Sequence, residues 1–353
     1  MKKLLLPFCV FILSVFNSCS NESSMSEEME KSVAQSYDVY IAGRENSKAC
    51  YWKNNVKTDL TGGDNLVPLE IKAENNNVYV TGSNGPTPTS FKSIHYFWKN
   101  GIKSEIKQYL GIPSTAQNDI TGFAVNNGDI YFAGYVENLS PATPAQRYEL
   151  CYWKNGVKTL LYQSQYSPSA EGVFINGADV YVSALIVDSN QNTDRGYFKN
   201  TVFNSLGNPN YVFNFAKNTS GLHILFQKNA KYYSKNISAN TETLIGDYSL
   251  SLPFYGKIAS DENSNDLYTT YYNQGNEYFK NNSIINTSFS SLSYIQDLFV
   301  LNNNVYMIKY STPTNSYTGK VFINGVETQN INGTQNGTIN YTSTFNAIYV
   351  VEN

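Results

Sequence analysis

The sequence predicts an all-β fold, a single β-propeller of four-stranded blades, and three observations carry that reading. One unit recurs: a short Asp/Asn-x-Tyr strand followed by Tyr-Trp-Lys-Asn-Gly or a close variant. Its markers, Tyr40, Tyr79, Tyr131, Tyr181, His223, Tyr268, Tyr306 and Tyr349, stand about 44 residues apart on average, the period of a propeller blade. Between them, β-branched and aromatic residues alternate with polar ones across Asn-Gly or Asn-Asn turns, and no stretch of the body sustains a helical period.

The elements follow in chain order. Met1-Lys2-Lys3 is a short basic start and residues 4–16 an apolar run too short to span a bilayer comfortably, the layout of an export signal. Asn17-Ser18-Cys19 closes it and resembles a bacterial lipoprotein lipobox, which implies a signal over 1–18 and lipidation of Cys19; an ordinary signal peptide with a chance cysteine is the alternative. Residues 20–36 are rich in Ser and Glu, with Glu22, Glu27, Glu28 and Glu30 against Lys31, and cannot bury enough surface to fold alone. The expected division is therefore a signal at 1–18, a lipidated cysteine and flexible acidic tether at 19–37, and the propeller at 38–353.

Within the body each unit offers four strand-like segments; in the third they are 120–125, 129–135, 149–154 and 157–162. The first unit lacks an obvious inner strand, and the segment 339–351 is placed to return and complete it. Seven blades fit best. One strand-like segment is left over, so eight is the alternative.

Composition narrows the function classes. The chain has 353 residues, a net charge of −3, 15% charged and 14% aromatic residues, which argues against disorder and gives no electrostatic reason for a nucleic-acid partner. Two histidines leave little for histidine-based catalysis or zinc, and no cofactor or metal set is expected. Cys50 and Cys151 hold the same motif position two units apart, too far for a disulfide, so two buried free thiols are expected. Trp52, Trp98 and Trp153 recur in register and read as blade core, while His95 and His223 read as structural.

Propeller topology turns loop length into a map of candidate sites. Tight turns occupy one face; long connections occupy the other, where function on repeat folds tends to sit. Phe91, Tyr135, Arg147, Tyr166 and Arg195 are the candidate contacts on that long-loop face. Glu70, Asp119, Glu171 and Asp297 fall nine to twelve residues before their markers, near the start of the innermost strand at the channel mouth. Carboxylates converging there suit sugar hydroxyls, a cation or acid–base work, against the plainer reading of a polar channel lining. Asp188, Asn190, Asn192 and Asp194 space oxygen atoms as a calcium loop does, without the glycine and glutamate of an EF-hand, and read first as a turn.

The Tyr-Trp-Lys-Asn-Gly units, best formed in the first three or four repeats, resemble those of repeat lipoproteins of Bacteroidota, mostly of unassigned function. The resemblance implies a fold and an address, a lipid-anchored protein of the outer membrane, and no activity; the glycine pairs of kelch and the Trp-Asp of WD repeats are absent. Two function classes remain. One is a non-enzymatic binding or scaffold protein engaging a protein or glycan through the long-loop face. The alternative is a glycan-active hydrolase or lyase using the channel-mouth carboxylates.

Overall fold

The computed structural model describes residues 36–353 except 86–93, 208, 248–255, 272–275, 288–290 and 337–339. The expected signal and most of the tether, with Cys19, and the candidate contact Phe91 lie outside the described residues. Over the rest the chain is a seven-bladed β-propeller.

The blades run in order along the chain. The first sheet contains Tyr37–Glu45, Lys48–Lys53 and Val56–Asp64; the second Val67–Glu74, Asn77–Ser83, His95–Lys99 and Ile102–Glu105. The third is Asn118–Asn126, Asp129–Glu137, Tyr148–Lys154 and Val157–Ser164, close to the four predicted segments. The fourth spans Ser169–Asn176 to Val202–Ser205, the fifth Tyr211–Asn218 to Thr241–Asp247, and the sixth Gly256–Ser260 to Ser283–Asn286. The seventh holds Tyr294–Leu301, Asn304–Ser311, Ser316–Ile323 and Val326–Asn336. The last strand, Thr344–Glu352, pairs antiparallel with Tyr37–Glu45 as the innermost strand of the first blade and joins the two ends of the chain. Asn340–Tyr341, part of the segment 339–351 expected to close the ring, instead adds a two-residue bridge to the end of Val326–Asn336, and the described residues form seven blades and no eighth. Two short helical turns, Ile106–Tyr109 and Pro144–Gln146, lie in connections.

The repeated motif is the machinery of the blade. In the third blade, Asn155 of the turn sits at φ 50° with Gly156 at 81°, as a type I′ hairpin requires. Its side-chain oxygen accepts the Ile130 amide at 2.9 Å and its amide donates to Asp129 at 2.7 Å. Asn54, Asn100, Asn200, Asn281 and Asn324 accept the equivalent amide in five other blades, and donate to Asp38, Asn77, Asp179, Asp266 and Asn304 in turn. The preceding lysine closes the clamp. Lys53, Lys154, Lys199 and Lys280 pair with the strand-opening Asp at 2.6–2.9 Å. These four and Lys99 lie 5.4–5.8 Å over the marker tyrosine ring. The motif glycine has a separate reason: a Cβ on Gly134 would drive into the Asp119 carbonyl, because a bulge presses the innermost strand against it.

The cores lie between blades. Trp98 and Trp153 are wholly buried and Trp52 nearly so, with the Trp98 indole donating to Thr61 of the preceding blade at 2.9 Å. Cys50 and Cys151 are both free and buried, and burial pushes each thiol up to about 12.

Candidate functional site

Innermost strands fix what converges at the channel, and their register divides the four carboxylates. Glu70 lies opposite Thr81 and Asp297 opposite Ile308, and each of these partners stands two residues past its marker tyrosine. Lys257 of the sixth blade, opposite Thr270, holds the same level. Asp119 sits further toward the long-loop end, opposite Tyr135, and Glu171 is the unpaired residue of a bulge between Ala170 and Gly172. The single constellation expected from spacing is therefore two separate groups.

The first group is a charged layer inside the channel. Asp297 is 2% exposed; its carboxylate pairs with the Lys257 ammonium, accepts the Leu298 amide at 2.7 Å, and accepts the Ile348 amide at 2.9 Å. That last amide belongs to the closing strand, so Asp297 ties three blades together. In the fifth blade, Asn214 makes the matching link by accepting the Ile258 amide of the sixth. Glu70, at the equivalent level, accepts no hydrogen bond among the described residues. Burial pushes its carboxyl up and the neighbouring Lys72 ammonium down, each partly offset by the opposite charge of the other. The Lys72 ammonium also lies 5.1 Å over the Tyr349 ring.

The second group opens onto the long-loop face. Surrounding protein pushes the Glu171 carboxyl up although water reaches it, and the charge of Asp119 adds to that push. The Ser169 hydroxyl, donating to Glu171 Oε1 at 2.8 Å, and the Arg195 guanidinium act in the opposite direction. Asp119 also acts on Tyr135, its cross-strand partner, and on His95, where burial lowers the imidazole and Asp119 partly restores it. Arg195 reaches over the Tyr211 ring at 6.0 Å. Asp119, Glu171, Arg195, Tyr135 and His95 thus share one electrostatic neighbourhood drawn from the second, third and fourth blades. His95, which reads on sequence as structural, opens the strand His95–Lys99 at the long-loop end.

Glu171 differs from several residues at the same place in the fold, as does Leu69 at the bulge of the second blade. Bulge residues of three other innermost strands donate hydrogen bonds to the next blade: Thr121 to the Ala170 carbonyl, Asn346 to Pro68 at 2.6 Å, and Gln296 to Asn346 at 3.4 Å. An ionised carboxylate has no proton to donate there.

The remaining candidates stand apart. Arg147 lies 3.4 Å from Glu137 and 5.1 Å over the Tyr148 ring. Tyr166 accepts from Gln191 at 3.1 Å, next to the loop expected to resemble a calcium site. In that loop Asp188 accepts the Asn190 and Asn192 backbone amides, both at 2.8 Å, and the Asn192 side chain at 2.9 Å; Asp194 accepts from Ser205 at 2.8 Å. These are the bonds of a self-satisfied turn. Among the described residues no group of three or more His, Cys, Asp or Glu side chains is placed to hold a metal ion.

No protein-family model matches the chain, and no curated protein matches it. Solved structures with similar coordinates include AztD from Citrobacter koseri in its apo form, at 10% identity and a TM-score of 0.49, covering 90% of this chain and 98% of that one. A structure of a nidogen/laminin complex is similar at 9% identity and a TM-score of 0.41, covering 89% of this chain and 98% of its own. The extracellular domain of the one-component system BT4673 from B. thetaiotaomicron is similar at 10% identity and a TM-score of 0.32, covering 86% of this chain and 47% of its own. At such identities and TM-scores the likenesses carry no argument about activity.

Proposed function

We propose that this chain is a lipid-anchored, non-enzymatic binding or scaffold protein of the bacterial outer membrane that engages a protein or glycan partner through its long-loop face. The observation that carries the reading is Glu171: a carboxylate at a bulge where three other blades place donors, flanked by Asp119 and Arg195. Acceptors and a guanidinium beside half-buried Tyr135 and Tyr211 suit hydroxyl-rich or amide-rich surfaces, which offer both donors and apolar faces. The lipobox-like Cys19 supports the anchor.

The binding test is retention of the full chain on immobilised envelope glycans and proteins, compared with Glu171→Gln and Asp119→Asn. Retention should fall about tenfold in each variant, as loss of a charge-assisted hydrogen bond predicts. Unchanged retention in both refutes the site. For the anchor, Cys19→Ala should move the protein from the membrane to the soluble fraction; unaltered fractionation refutes it. A second reading rests on the same pair: a carboxyl pushed up beside another carboxylate is the arrangement of an acid–base pair. Cleavage of the retained glycan, lost in Glu171→Gln, would select the glycan-active enzyme instead.

A further inference from the structure

The lysine–tyrosine clamp that closes five blades is missing from the seventh, and the gap opens onto a cavity. Asn304 stands there where four blades have Asp, and Ile323 where five have Lys. The amide pair survives, with Asn324 donating to Asn304 at 2.8 Å, but among the described residues no ammonium lies over the marker Tyr306. Tyr306 is 2% exposed, and its hydroxyl makes no hydrogen bond among the described residues. Burial, with Tyr37 beside it, pushes the phenol up to about 12, so the hydroxyl keeps its proton and is available to donate.

Tyr306 lines a cavity. A cleft of about 380 Å³ lies between the first and seventh blades at the tight-turn end, remote from the long-loop face. Its walls are Tyr37, Val39 and Ile41 on one side and Tyr306, Val321 and Ile323 on the other. The rest of the lining is amide and hydroxyl side chains, and among the described residues no charged side chain lines it. The Asn54 amide at its rim is already committed, accepting from the Val39 amide at 2.8 Å and donating to Asp38 at 2.7 Å. Tyr37 and Tyr306 stand edge to face at 6.4 Å and present ring surface to the space.

Each feature selects one property of a ligand. Apolar walls with two tyrosine rings favour an aromatic body, the absence of a counter-charge disfavours an ion, and a hydroxyl with no protein acceptor among the described residues suits a ligand acceptor. We propose that the cleft between the first and seventh blades binds a neutral aromatic small molecule whose carbonyl or equivalent acceptor takes the Tyr306 hydroxyl. The site is independent of the long-loop face and of the function proposed for it.

Ligand-observed NMR titration of the full chain tests this, with acetophenone as the neutral probe and benzoate as the charged comparator. Acetophenone should bind saturably and benzoate far more weakly. Tyr306→Phe, which keeps the ring, should weaken acetophenone about fivefold, the worth of one neutral hydrogen bond. Ile323→Lys, which restores the residue of the other blades and fills the cleft, should abolish binding. Absence of saturable binding, equal binding of benzoate, or a Tyr306→Phe variant indistinguishable from the parent overturns the assignment. If Ile323→Lys shows no cooperative melt, Tyr306→Phe alone decides.

Discussion

Asp297→Ala tests whether a carboxylate at the channel is structural. The innermost strand of a blade has a sheet partner on one side only, so amides on its channel side have no neighbour in the ladder. The Ile348 amide is one of these, and Asp297 Oδ2 satisfies it at 2.9 Å while Oδ1 takes the Leu298 amide at 2.7 Å. Truncation leaves both amides without their acceptor in a site where Asp297 is 2% exposed. A buried donor left unpaired costs about 1–3 kcal/mol, so the pair sets a loss of roughly 3 kcal/mol. The ion pair adds little, because the Lys257 side chain is 43% exposed and its ammonium rehydrates. Asp297→Asn keeps one acceptor oxygen and should lose about half as much. Urea unfolding followed by intrinsic fluorescence should show a lower midpoint with an unchanged slope, and hydrogen exchange should show the Ile348 amide deprotected. An Asp297→Ala protein as stable as its parent, with Ile348 still protected, would refute the reasoning and return Asp297 to the ligand-binding candidates.

Other consequences are open to direct measurement. Cys50 and Cys151 are fully buried and raised to about 12, so a thiol reagent should find neither in the native protein and both after denaturation. Asn155→Ala removes the acceptor of the Ile130 amide and imposes a Cβ-bearing residue less tolerant of positive φ; a loss of about 2 kcal/mol in urea unfolding is expected. Burial lowers the Lys309 ammonium from 10.5 to about 8, so between those values the unfolded chain holds more protons and this group makes stability rise with pH. The gain, roughly 3 kcal/mol across that window and absent below it, should vanish in Lys309→Met; an unchanged slope of stability against pH in that variant refutes the reading.

The architecture was legible because each blade repeats the same chemistry. Asn155, Lys154 and Asp129 have their roles fixed by short-range hairpin geometry, and short-range geometry is what a repeated sequence displays. The closing strand was legible for the complementary reason, a first unit with three strands and a last with one to spare. The blade count stays open on sequence because one strand-like segment is left over, and the segment 339–351 divides in the structure into the two-residue bridge Asn340–Tyr341 and the closing strand Thr344–Glu352. Nothing local distinguishes such a bridge from a blade strand. The distinction lies in what packs across it.

The carboxylates show where periodic reasoning needs one more step. Glu70 and Asp297 each precede their marker by nine residues, Glu171 by ten and Asp119 by twelve. Because the hairpin turns have equal length, these offsets are register, and a shift of one residue in a strand reverses the face a side chain meets. Equal offsets put Glu70 and Asp297 on one level with Lys257, where charges neutralise one another and support the ring. The extra residue at Glu171 is the bulge itself, and a bulge re-aims its side chain toward the next blade. What sequence does not display is that Thr121, Gln296 and Asn346 use this position to donate hydrogen bonds, since their partners are backbone carbonyls of another blade. Leu69 and Glu171 hold the same position and donate nothing, and of the two only Glu171 offers a partner an acceptor.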